Sequence, residues 1–239
     1  SKTDWRPIFT IPHSGLRKFK LFWLIKFFVS SVSGKARYKI SASGKTESIL
    51  SIVIVLEQPS TAFPFLFIPI IFDNLEDVVS KTIYQKQNPI YLILDNITDM
   101  RNIGAIIRSA SATGVTNIIL PKTESGRINA DTVKTSSGAI FSVSISKVDH
   151  IKDAIFLLKS NNIKIICVTE KAKKTIYETE LKNPLAIVMG SEKKGISNSV
   201  IKISDRSVKL PMKGKIDSLN VSVACATVLY EIIRQREFS

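Results

Sequence analysis

The chain has 239 residues, enough for one large domain or two small ones, and 44% of them are hydrophobic, which excludes a disordered chain. Thirty-four Lys and Arg against 20 Asp and Glu leave a net charge of +14, the balance of a protein that meets phosphates, on nucleic acid or an anionic membrane. Its two cysteines, Cys167 and Cys225, exclude a disulfide framework and a thiolate metal site, and read as buried thiols of a reducing compartment.

The charge is uneven: residues 1–45 carry ten Lys and Arg against one acid, Asp4, whereas residues 46–90 carry two against five. Within the basic part, residues 17–33 place Arg17, Lys18 and Lys20 ahead of a short apolar run, as an export signal would. Lys26 interrupts that run, 16 residues precede it, and it falls short of the about 20 apolar residues that span a bilayer. The expectation is therefore a cytoplasmic protein without a membrane span. The same segment reads as an amphipathic core strip. Its lysines beside Phe22, Trp23 and Phe28 are also suited to tracking phosphates and stacking on bases. Residues 49–56 predict a strand. Residues 63–72 are apolar but broken by Pro64 and Pro69, which argues against a central strand. Residues 75–85 predict a helix with an acidic start, and residues 84–89 a connection. The division that follows is an N-terminal module over 1–75, a linker over 76–89, and an α/β domain over 90–239.

From residue 90 onward short apolar runs alternate with helical spacing. Strands are predicted at 90–94, 117–120, 140–145, 163–168, 185–189 and 207–210. Helices are predicted from a cap at Asn102 to Ala112, over 129–136, over 148–160 with a stop at Asn161-Asn162, over 199–203, and from Ser218 to about Arg236. Strands that are continuous apolar runs imply a parallel sheet covered by helices on both faces.

Three segments carry candidate chemistry. Asn102-Ile-Gly-Ala-Ile-Ile-Arg108 opens a helix, whose first amides seat anions. Gly104 leaves room for another backbone or a ligand, and Arg108, in apolar surroundings, calls for a partner such as Glu192. Met189-Gly-Ser-Glu-Lys-Lys-Gly-Ile196 is a glycine-bounded loop at a strand end, where α/β sheets present ligands. Its Gly190 and Gly195 have phosphate-loop spacing, but Ile196 stands where such a loop needs Lys, which excludes nucleoside triphosphate hydrolysis. An apolar residue at the loop exit suits an adenine or a thioether. In Leu210-Pro-Met-Lys-Gly-Lys-Ile-Asp-Ser-Leu-Asn220 a strand ends, a basic loop follows, and Ser218 is placed to cap a helix whose first turn holds Leu219 and Asn220. The only histidines, His13 and His150, lie in none of these segments, so no Ser–His–Asp or Cys–His arrangement and no metal site is suggested.

In this order and spacing, the three segments resemble the three motifs of the SpoU/TrmH family within the SPOUT class of RNA methyltransferases. The resemblance covers roughly residues 88–239. The stretch from Asn129 to Ala139 and the ending Leu229-Tyr-Glu-Ile-Ile-Arg-Gln-Arg236 are most similar to the bacterial enzymes that methylate a guanosine of 23S ribosomal RNA. The resemblance implies a C-terminal trefoil knot, which general rules of chain connection would disfavour. It also implies a homodimer, S-adenosylmethionine as methyl donor with no metal, and a ribose 2′-hydroxyl of RNA as acceptor. By motif position Met189, Gly190, Ile196, Leu210, Leu219 and Asn220 would hold the donor. Asn102, Arg108, Glu192, Ser218 and Asn220 would form the reaction centre. Arg108 is expected as an electrostatic clamp oriented by Glu192, because a guanidinium is a poor base, with Asn102 and Ser218 bonding the hydroxyl. The same resemblance implies that residues 1–75 form a small α/β RNA-binding module like ribosomal protein L30, although its sequence pattern is absent there. Transfer RNA is the alternative substrate. A non-catalytic RNA-binding or ribosome-assembly protein is the alternative class, opposed by the intact Asn102, Arg108, Glu192 and Asn220.

Overall fold

The structure, a computed structural model, describes residues 37–46, 49–57, 66–85, 87–123 and 128–238. The basic aromatic segment at 17–33 lies outside them. The first described elements form a three-stranded antiparallel sheet, ordered β1 (Arg37–Thr46), β2 (Ile49–Glu57), β3 (Leu66–Ile71). Pro69 stands opposite Ser51 on β3, an edge strand among the described residues, where a residue without an N–H is tolerated.

Helix α1 (Leu75–Tyr84) starts at Asn74, whose side chain accepts from the amides of Glu76 and Asp77. The helix expected at 75–85 is present and packed, with Leu75 and Val79 buried and the Thr82 hydroxyl 2.7 Å from that of Tyr91.

The remaining strands are β4 (Ile90–Asp95), β5 (Asn117–Pro121), β6 (Ile145–Val148), β7 (Lys164–Val168), β8 (Lys174–Thr175), β9 (Leu185–Gly190) and β10 (Arg206–Lys209). They form one parallel sheet in the order β6-β5-β4-β9-β7-β10-β8. Successive side chains of a strand point to opposite faces, and both faces here are covered, which is why the runs are apolar throughout. Leu92, Leu94, Ile118, Leu120 and Ile187 face one core, beneath α2 (Met100–Ala112), α3 (Ala130–Thr135) and α6 (Val221–Glu237). Tyr91, Ile93, Ile119, Ala186 and Val188 face the other, beneath α1, α4 (Ile151–Ser160) and α5 (Asn198–Ile203).

Three expectations change in detail. The strand predicted at 140–145 is a short 3-10 turn, Ala139–Phe141, reached through Ser137 and Gly138 at positive φ (52° and 80°). Ile140 and Val143 enter the same core at a three-residue spacing, whereas a strand would send them to opposite faces; β6 starts at Ile145, opposite Ile118. Val148 ends β6, so the helix expected from 148 starts at Ile151. Strand β8 was not foreseen, because two polar residues carry no periodicity.

Helix α2 approaches α3 at Gly104, where a Cβ would lie 2.8 Å from the Thr135 Cβ and 2.9 Å from the Thr132 carbonyl oxygen. The space beside Gly104 is thus filled by another backbone. Gly104→Ala would gain about 1 kcal/mol of helix propensity but overpack a helix contact, which costs about 1–3 kcal/mol. Net destabilisation of about 1 kcal/mol is expected, read as a lower urea midpoint at unchanged slope.

The end of α6 is tied to two distant segments. Gln235 exchanges bonds with the Leu181 amide (2.9 Å) and the Thr179 carbonyl (3.1 Å). The Arg236 guanidinium donates to the carbonyls of Asn88 (2.8 Å), Asn183 (2.8 Å) and Leu181 (3.2 Å).

Candidate active site

Strands β4 and β9 are neighbours with Asp95 opposite Gly190, so the first two candidate segments leave the sheet side by side at its carboxyl edge. Asp95 is buried there. One carboxylate oxygen accepts from the Ser197 amide (2.7 Å) and the other from the Asn96 side chain (3.0 Å). Asn96, at φ 58°, also donates to the Ser197 hydroxyl (3.0 Å). This latch holds the loop before α2 against the loop after β9.

The second loop folds back on itself. Gly195 turns the chain at φ 66°, its amide donates to the Ser191 carbonyl (2.8 Å), and the Lys194 amide donates to the Ser191 hydroxyl (3.1 Å). The fold-back presses Gly195 and Ile196 onto Gly190, where a Cβ would sit 2.3 Å from the Gly195 carbonyl carbon and 2.4 Å from the Ile196 nitrogen. Glu192, at the tip, is exposed.

The third segment leaves β10 at Leu210 and reaches α6. Asn220 is the N-cap of α6: its side-chain oxygen accepts from the Ser222 amide (3.0 Å) and hydroxyl (2.6 Å). Its side-chain nitrogen donates to Asn102 Oδ1 (3.0 Å) and Glu192 Oε1 (2.9 Å). Glu192 Oε1 also accepts from the Val221 amide (3.1 Å), so a carboxylate lies on the positive end of α6. One residue from each segment therefore meets at a single joint.

Asn102, Glu192 and Asn220 are brought together as expected, but with altered roles. Asn102 does not cap α2. Asp99 does, accepting from the Asn102 amide at 2.8 Å, which leaves the Asn102 side chain free to reach Asn220. Ser218 does not cap α6 either; it is exposed two residues before the cap. Glu192 bonds Asn220 and the Val221 amide, not Arg108 as anticipated. Arg108 is itself exposed, not buried, and among the described residues it has no ion-pair partner. Six residues beyond Asn102, it lies about 9 Å further along α2.

Among the expected donor-binding positions, Met189 and Ile196 send their side chains into the two cores, so only their backbone is left to line a site. Leu210 and Leu219 are half-buried. Between them, among the described residues, the backbone amides from Met212 to Leu219 form no hydrogen bond. Asp95, Asn96, Asp99 and Ser197 were missed. Only Asp99 had a sequence signal, an acid three residues before the first-turn Asn102. Burial pushes the thiols of Cys167 and Cys225 up to about 11 and about 12, so neither is a thiolate near neutrality. No group of His, Cys, Asp or Glu that could hold a metal occurs among the described residues.

Comparison with known proteins places these loops in a family. A family model described as the SpoU rRNA Methylase family matches residues 89–230. The chain is 37% identical over 150 residues to the 23S rRNA (guanosine-2'-O-)-methyltransferase RlmB of Yersinia pestis, covering 63% of this chain and 61% of that protein. It is 37% identical over 164 residues to RlmB of Escherichia coli K12, covering 69% and 66%. The matched region thus spans slightly less than two thirds of these relatives. Among solved structures, a TrmH/SpoU tRNA modifying enzyme of A. aeolicus superposes with a TM-score of 0.58 at 30% identity, covering 68% of this chain and 81% of that one. The SpoU methyltransferase AviRb of Streptomyces viridochromogenes, in complex with the cofactor AdoMet, superposes with a TM-score of 0.60 at 26% identity, covering 64% and 59%. With its parallel sheet, its three joined loops and a family match that takes in the whole carboxyl edge, this chain belongs to the SpoU rRNA Methylase family.

Proposed function

We propose that the protein transfers a methyl group from S-adenosylmethionine to a ribose 2′-hydroxyl of RNA, at a guanosine of 23S ribosomal RNA. The observation that carries the reading is the Asn102–Asn220–Glu192 joint, which gathers the three family segments at the carboxyl edge of the sheet. The names of the 37% identical relatives support the ribosomal substrate. The residues present fit the donor: half-buried Leu210 and Leu219 flank amides that are free to bind it, beside the Gly190 turn. When bound, S-adenosylmethionine supplies the electrophilic methyl group.

What remains for the protein is positioning and deprotonation of a weak nucleophile. Glu192 and the Asn220 cap fix the start of α6, and Asn102 is held by the same joint. Arg108, exposed and unpaired among the described residues, is available to clamp the ribose-phosphate and ease loss of the hydroxyl proton. Ser218, exposed in the donor loop, would bond the hydroxyl.

The reading includes a trefoil knot. Its support is that β10 lies inside the sheet between β7 and β8, while α6 shares a core with α2 and its first amide is bound by Glu192. It includes a homodimer, supported by Val223 and Tyr230 on α6, large apolar side chains left exposed among the described residues. It includes RNA docking by the N-terminal part, of which β1–β3 are described, and a cytoplasmic setting, supported by two free buried thiols. No helix among the described residues is long and apolar enough to cross a membrane.

The test is methyl transfer from radiolabelled S-adenosylmethionine to unmodified 23S and transfer RNA. Alkali-resistant label at one 23S guanosine is the expected result. Label confined to transfer RNA would move the substrate, and no label on any RNA from donor-binding protein would leave the non-catalytic reading.

A further inference from the structure

The carboxyl edge of the sheet carries a second feature, outside the three family segments. The turn Thr169-Glu-Lys-Ala-Lys-Lys-Thr175 joins β7 to β8. It is anchored by its backbone: the Thr169 amide donates to the Val208 carbonyl (2.9 Å), the Ala172 amide to the Thr169 carbonyl (3.1 Å), and Ala172 is buried. Lys171, Lys173 and Lys174 are exposed around that anchor. Strand β8 runs beside β10 with Lys174 opposite Val208 and Thr175 opposite Lys209, so the turn borders the loop that carries Lys213 and Lys215.

Elsewhere some cations are matched, Lys159 with Asp205, Lys122 with Asp149 and Arg234 with Glu231, while others such as Arg108, Lys152 and Lys202 are not. On the rim, Lys171, Lys173, Lys174, Lys209, Lys213 and Lys215 form no ion pair with another described residue. The nearby acids are partly committed to backbone. Glu178 accepts from the Thr175 amide and hydroxyl (both 2.7 Å), and these bonds, with the nearby charges of Lys174 and Lys209, hold its carboxyl below the usual range; Glu192 is taken by Val221 and Asn220. Glu170 and Asp217 remain as the opposing charges. A cluster of ammonium groups that outnumbers its facing carboxylates, drawn from two separate chain segments, fits a polyanion laid across the edge better than one small anion.

We infer that the 169–175 turn, with the lysines of the 209–215 segment, is a phosphate-contacting surface for the backbone of RNA whose target ribose enters between the family loops. The inference rests on the RNA reading above and names the part of the surface that holds the strand next to the site. Contacts of lysine with phosphate position a strand without reading its bases, so this rim supplies affinity and salt dependence, not choice of nucleotide.

The experiment uses the full chain and a fluorescein-labelled unmodified RNA oligonucleotide, with affinity measured by anisotropy across a salt series. Each lost phosphate contact lowers the slope of log affinity against log salt by about 0.7 for single strands. A triple variant, Lys171→Ala, Lys173→Ala and Lys174→Ala, is expected to lose about two units of slope and roughly tenfold or more in affinity, with S-adenosylmethionine binding unchanged. A control pair on α4 and α5, Lys152→Ala with Lys202→Ala, is expected to keep the parent slope. Triple and parent proteins of equal slope and affinity would overturn the inference and leave these lysines as protection of an edge strand. So would an equal loss in the control pair, which would make the effect one of net charge, or a triple variant that loses only binding to phosphatidylserine vesicles. Absence of RNA binding by the parent protein would instead take down the RNA reading itself.

Discussion

Arg108→Ala is expected to slow methyl transfer by about 10²–10³-fold, the scale of one lost electrostatic contact to a developing oxyanion, with the affinity for S-adenosylmethionine unchanged. The geometry makes this variant a clean probe. Arg108 is exposed and, among the described residues, carries no ion pair that its removal would orphan. Surface substitutions of that kind stay within about 0.5 kcal/mol of the parent stability, so a large loss of rate would not come from the fold. Single-turnover transfer and equilibrium donor binding separate the two effects. Arg108→Lys should recover little, because an ammonium lacks the planar fork that grips ribose-phosphate oxygens. Equal loss of rate and of donor affinity would place Arg108 in donor binding, and a fully active lysine variant would remove the need for the fork.

Gly190→Ala is expected to act on a different link, the shape of the second loop. Its added methyl would sit 2.3 Å and 2.4 Å from backbone atoms of Gly195 and Ile196, and a backbone cannot step aside as a flexible side chain can. Displacing Ile196 would also disturb the core against which it packs. The cost is set near the upper end for overpacking, about 3 kcal/mol, or roughly 6–12 °C of melting temperature for a protein of this size. Donor affinity should fall with it, because the same turn carries Glu192 to α6. Thermal melting and donor titration check both, and a variant that melts and binds like the parent would show that the loop is not closed on Gly190 in solution.

The α/β domain was readable from the sequence because both of its cores impose simple patterns. Runs such as Tyr91-Leu-Ile-Leu94 are apolar at every position since both faces are covered, and the stop at Asn161-Asn162 is local. Features decided by pairing with distant chain were not readable. The 139–143 turn depends on how Ile140 and Val143 meet the core, and β8 exists only because Val208 and Lys209 lie beside it. For the site, residue types in three segments pointed to Asn102, Glu192 and Asn220, and these do meet. Their partners could not be read that way. Asp99 takes the capping role given to Asn102, Asn220 takes that given to Ser218, and Asp95 joins Ser197 across 102 residues of chain. The apolar setting of Arg108 suggested burial, yet the buried stripe of α2 runs through Ile103, Ile106, Ile107 and Ala110 and leaves Arg108 outside it.

The hold of Arg236 on the Asn88 carbonyl, at 2.8 Å, brings together two points 148 residues apart. The chain of the α/β domain therefore runs out from one place and returns to it, almost as a closed ring. A polypeptide with that outline is suited to circular permutation: a short bridge between residues 88 and 237 would span the gap, and fresh ends could open in an exposed turn such as that at Lys122 and Thr123. It also means that the Asn88 carbonyl, just ahead of β4, gains this partner only when residue 236 arrives, so the last turn of α6 closes a long loop and is expected to dock late in folding.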